Sequence, residues 1–158
     1  IVDNDFIREK TPSLLNTANE IFKAYNNYIQ IVHYAEISVI EAAISLNANA
    51  IVIDEKTTRF LMENPRMIVE ILKKTLHTPI SINENNLKEF NNAASNIKAI
   101  RSIELVTMAY ENGLLDNYIT KLPDARKNLL ESVLWGVKLN GCAVSKEEIE
   151  QILRIEAK

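Results

Sequence analysis

The chain predicts an α/β fold, a mostly parallel β-sheet flanked by helices. The clearest apolar run, Ala50-Ile51-Val52-Ile53, stands between two segments of helical periodicity. A short run in that setting reads as a strand buried in a parallel sheet. The order helix, strand, helix, strand, helix then favours helices on both faces. The chain has 158 residues, 47% hydrophobic and 25% charged, which suits a single domain over 1–158 with a sizeable core.

The elements follow in order. Residues 1–10 begin apolar and turn polar. A helix is expected from Thr11-Pro12, with Thr11 as cap and Pro12 at the first helical position. Its stripe is Leu14, Leu15, Ala18, Ile21, Phe22 and Tyr25, and Asn26-Asn27 ends it. Residues 28–34 alternate and are β-branched, so they read as a strand. A helix over about 36–47 places Ile37, Ile40, Ala43 and Ile44 on one face, and the strand 50–53 follows, ending in Asp54.

A short helix at TTRFLMEN stops at Pro65, and a second spans 65–76 with Met67, Ile68, Ile71 and Leu72 inward. Strands are expected at 79–82 and 97–100, with a very polar helix at 84–95 between them. Few apolar anchors, Leu87 and Phe90 among them, predict low local stability there. Three helices finish the chain: one from Ser102 to Asn112, stopped by Gly113, an apolar one over 124–139, and one opened by a Ser145–Glu148 capping box.

Composition narrows the chemistry. The net charge is −3, so no overall basic footprint marks a nucleic-acid coat. One cysteine, Cys142, forbids an intrachain disulfide and points to a cytoplasmic protein. No signal peptide and no run of about 18 apolar residues occurs, so no membrane association is expected. The chain opens on Ile1 and not Met, so its natural start is expected to have been processed or to lie upstream. Three glycines, at 113, 136 and 141, are too scattered for a phosphate-cradling loop. His33, His77 and Cys142 make a poor structural zinc set. Carboxylates, hydroxyls and Lys/Arg remain. Trp135 reads as a core or interface residue.

Ligands in open parallel sheets bind beyond the carboxyl ends of the strands, where Asp54 stands. It can hold a metal there, or cap the helix beginning at Thr57, and both readings stay open. Glu36 lies in the first turn of its helix, a position the helix dipole alone explains. Glu41 lies about 140° further round and reads as solvated.

Two blocks then carry a family resemblance. Residues 35–59 read AEISVIEAAISLNANAIVIDEKTTR: a Glu opening a small-residue helix, four apolar residues, an acid pair and an Arg. Residues 101–115 read RSIELVTMAYENGLL, with a hydroxyl residue at the helix start, an Ala within it and Gly-Leu-Leu after it. The pattern resembles the PIN-like nucleases, specifically the compact prokaryotic members. The resemblance implies Mg²⁺ or Mn²⁺ held by clustered acids and phosphodiester hydrolysis, usually of RNA. It implies Glu36, Asp54 and Glu104 as catalytic, and Glu36, Asp54 and Asp3 as metal ligands. Lys56, Arg59 and Ser102 would touch the nucleic acid. Lys56 and Arg59, with Arg66, Lys73 and Lys74, read from the residues alone as a solvated helix face ahead of a nucleic-acid strip. The interval from Asp3 to Glu36 is short for the family, which places its N-terminal strand upstream of Ile1, and residues 62–95 read as a helical insertion. The alternatives are a non-catalytic PIN-like domain that binds nucleic acid or protein, including a second copy of itself, and a receiver-like doubly wound module.

Overall fold

The structure, a computed structural model, describes residues 4–156. Its chain divides into two compact units, residues 1–51 with 56–99 and residues 52–55 with 100–158.

The first unit is mainly helical. Helix α1 spans Asn4–Asn19 and runs straight through Pro12, earlier than the expected start at Thr11. Thr11 is fully buried and its hydroxyl donates to Ile7 O (2.7 Å), so it sits inside the helix and does not cap it. The stripe expected to continue to Tyr25 is broken at Asn19. Ile21 and Phe22 are still buried, but on strand and turn backbone: β1 (Phe22–Ala24) turns through Tyr25 at φ 54° into β2 (Asn27–Tyr28). The Asn26-Asn27 signal therefore marks a hairpin.

Residues 29–33 do not form the expected strand. Asn19 takes the place of a partner strand, accepting from Ile31 N–H (2.8 Å) and Val32 N–H (3.1 Å) and donating to Val32 O (3.0 Å). Helix α2 (Tyr34–Ser45) follows and buries Ile37, Ile40 and Ala43 as its periodicity requires. It also buries Glu41, which was expected to face solvent.

Strand β3 (Ala50–Val52), helices α3 (Lys56–Glu63) and α4 (Pro65–Leu76), strand β4 (Ile80–Ile82), helix α5 (Glu84–Ala94) and strand β5 (Lys98–Ile100) come next, all close to their expected positions. On α4 the buried residues are Ile68 and Val69, while Met67 and Ile71 are exposed.

The expected sheet is not there. Strand order is β2-β1-β4 in a three-stranded antiparallel sheet, and β3 and β5 form a separate parallel pair. Eight helices dominate the described residues. The physical reason is visible in β3: Ile51 and Ile53 are buried while Ala50 and Val52 are exposed, so the strand has one covered face and one partner. A run of four apolar residues carries no signal that separates this from burial on both faces. Residues 62–95 are packed into the first unit. Strand β4 pairs with β1, α5 packs on α1, and Phe90 is fully buried.

The second unit is built from α6 (Ser102–Glu111), a 3-10 turn at Asp116–Tyr118, α7 (Ala125–Leu139) and α8 (Lys146–Glu156). Its core is Ile103, Tyr110, Leu130, Leu134, Cys142, Val144 and Ile149, with Trp135 packed against it. Helices α6 and α7 end alike. At α6, Leu114 N–H reaches back to Ala109 O (2.9 Å) and Gly113 N–H to Tyr110 O (3.0 Å). At α7, Cys142 N–H reaches Val137 O (3.2 Å) and Gly141 N–H reaches Lys138 O (3.1 Å). Both are Schellman ends that need a left-handed residue, supplied by Gly113 (φ 70°) and Gly141 (φ 107°). The α8 capping box forms as expected, with Ser145 N–H on Glu148 Oε2 (2.8 Å) and Glu148 N–H on Ser145 Oγ (3.1 Å).

Candidate functional site

Asp54, leaving the second half of β3, meets the N-terminus of α6. Ser102 N–H donates to Asp54 Oδ1 (2.8 Å) and Ser102 Oγ–H to Oδ2 (2.6 Å), across 48 residues of sequence. Asp54 thus caps the N-terminus of α6. The Gly141 turn brings the buried Cys142 thiol to the same carboxylate as a further donor. Partial burial alone would push Asp54 up. The Ser102 and Cys142 hydrogen bonds and the nearby Arg101 charge outweigh it, and Asp54 titrates below its ordinary value. Burial first, and then the anionic Asp54, raise the Cys142 thiol, so its reactive thiolate is disfavoured.

Arg101 is the neighbouring hub, with 15% of its side chain exposed. Its guanidinium binds Glu104 Oε1 (2.8 Å), Glu148 Oε1 (3.0 Å) and Ala143 O (3.2 Å). Glu104 also accepts the Arg101 backbone N–H at Oε2 (2.6 Å), so both of its oxygens are occupied. Glu148 is lowered first by the Ser145 N–H and then, against partial burial, by Arg101. The sequence reading singled out Asp54, Ser102 and Glu104, and the structure brings these three to one place. It missed Arg101 and assigned Cys142 and Glu148 no part. The only local clue to Glu148 was its capping box.

The remaining expected residues belong elsewhere. Glu36 stands in the first turn of α2 in the other unit, its Oε2 buried without a hydrogen-bond partner among the described residues. Lys56 and Arg59 lie on α3 in that unit and flank the Phe60 ring, at 5.4 Å and 5.3 Å from its centroid. Arg59 also lies 3.8 Å from Glu63. Asp3 lies outside the described residues. Among the described residues, no group of three or more His, Cys, Asp or Glu could hold a metal ion. Around Asp54 the acids already share a cation, Arg101, and a divalent ion would have to displace it. Within the second unit, Asp54 and Glu104 do not by themselves form a site for the Mg²⁺ or Mn²⁺ that the resemblance implies.

Beside this network an open groove of about 460 Å³ runs between α6 and α8. Arg101, Glu104 and Glu148 close one end. Thr107 and Met108 line it from α6, and Gln151, Ile152 and Ile155 from α8, at the i, i+3, i+4, i+7 spacing of one helical face. Met108 and Ile155 are 53% and 63% exposed. A second opening, near the start of α7, carries Lys121, Arg126 and Lys127, but Asp124 lies among them and Arg126 is held by Asp116 (2.7 Å).

No family model, curated protein or solved structure matches this chain. Among the described residues no helix is long and apolar enough to cross a membrane.

Proposed function

We propose that this chain is a non-catalytic protein-binding domain that acts in the cytoplasm. One observation carries the reading. The two candidate acids of the second unit, Asp54 and Glu104, are spent on internal partners: Asp54 on Ser102 and Cys142, Glu104 on Arg101. A hydrolytic metal site needs carboxylates with lone pairs open to the ion. The apolar groove supports a protein partner over RNA, since Arg101, the cation that lines it, is already paired with Glu104 and Glu148 and leaves no free positive charge for a phosphate.

The rival is the metal-dependent ribonuclease of PIN type. Thermal melting with and without Mn²⁺ and Mg²⁺, beside cleavage assays on single-stranded RNA, separates the two. The expected result is no metal-dependent rise in melting temperature and no cleavage. A rise in wild type that Asp54→Asn removes, together with metal-dependent cleavage, overturns the binding-domain reading.

A further inference from the structure

We infer that the α6–α8 groove receives a single amphipathic helix of a partner protein, apolar along one stripe and bearing Lys or Arg on its flanks. The inference rests on the binding-domain reading and names its site and partner.

Shape comes first. The floor is apolar, and the stripe Gln151, Ile152, Ile155 is a helical face with no inward partner at its exposed end. Helix-in-groove recognition uses such a surface, filled by residues at i, i+3, i+4 and i+7 of the incoming helix.

Charge selects the occupant. Helices α6 and α8 carry six glutamates against two cations, more negative together than the whole chain at −3. At the Arg101 end the acids are neutralised. At the far end they are not. Glu111, one helical face on from Glu104 and Met108, and Glu156, next to Ile155, make no ion pair among the described residues. Both stand at helix C-termini, where the backbone dipole adds negative potential. An incoming helix is therefore steered by cations that reach Glu111 and Glu156 while its apolar stripe covers Met108, Ile152 and Ile155. A second copy of this chain would bring glutamate against glutamate.

The probe is a panel of labelled peptides of about 18 residues, Leu, Ile or Met at the four stripe positions and Lys on the flanks. A matched panel carries Glu on the flanks. Fluorescence anisotropy reads binding to the intact chain, and amide shifts locate it. Lys-flanked members should bind roughly tenfold or more tightly than Glu-flanked ones, with shifts on α6 and α8. Met108→Glu should weaken binding by a similar factor without lowering the melting temperature. Glu111→Lys with Glu156→Lys should invert the preference between the panels. Binding that ignores these substitutions, shifts located elsewhere, or no binding by any panel member overturns the inference. So does a dimer in sedimentation that Met108→Glu dissociates. Because the Mn²⁺ melting and cleavage assays involve no peptide, a metal-dependent nuclease that still binds Lys-flanked peptides defeats the earlier reading alone. A metal-indifferent protein that binds none defeats the groove alone.

Discussion

Replacing Asp54 by Ala removes the acceptor for Ser102 N–H, Ser102 Oγ–H and the Cys142 thiol at once. Hydrogen bonds to a charged group contribute about 1.5–3 kcal/mol each in net terms, and loss of a helix cap costs about 1 kcal/mol. The three bonds share one carboxylate that is partly solvated, so they do not add. A loss of about 2–4 kcal/mol is expected. Urea unfolding followed by the fluorescence of Trp135, the single tryptophan and one packed on the core of this unit, measures it. Ser102→Ala and the double variant close a cycle whose coupling should reach about 1 kcal/mol. The sign of the pH dependence is also determined. The folded pKa of Asp54 is depressed, so its contribution is complete above the unfolded value of about 3.9 and disappears as pH falls through the lower folded value. The gap between wild type and Asp54→Ala should be constant near neutrality and close below about pH 4. A loss under about 0.5 kcal/mol, additive single variants, or a gap indifferent to acid would refute the anchoring role.

Two further outcomes follow from the first unit. Burial raises the pKa of Glu41, against a smaller opposing effect of Lys10. Its contribution is therefore complete below the unfolded value of about 4.3 and lost as pH rises through the folded one. Glu41→Gln should remove that slope and melt higher than wild type at neutral pH; parallel melting curves across about pH 4–7 would contradict it. Asn19→Ala should cost about 2–4 kcal/mol, because Ile31 N–H and Val32 N–H lose their acceptor. Hydrogen exchange at those two amides should accelerate well beyond that of the α2 interior, and unchanged protection would show that Asn19 does not hold the segment.

What the amino-acid sequence determined by itself is local. The capping box at Ser145 and Glu148, the stop at Gly113, the start of α4 at Pro65 and the positions of β3, β4 and β5 were all legible, because each rests on residues within a turn or two of one another. Ser102 was legible as a helix start, but its carboxylate partner was not. Asp54 lies 48 residues away, and Arg101 reaches Glu148 across 47. Periodicity is silent at that range. The same limit explains the missing parallel sheet: strands of two or three residues carry almost no alternation, so which edge pairs with which is decided by the helices that cover them. It explains Glu41 too, whose solvation depended on which faces of α2 other elements happened to cover. Only the tertiary structure decided that Asp54 and Glu104 would be used to hold the second unit together, because a carboxylate's role is set by the donors that surround it, and here those donors come from the chain itself.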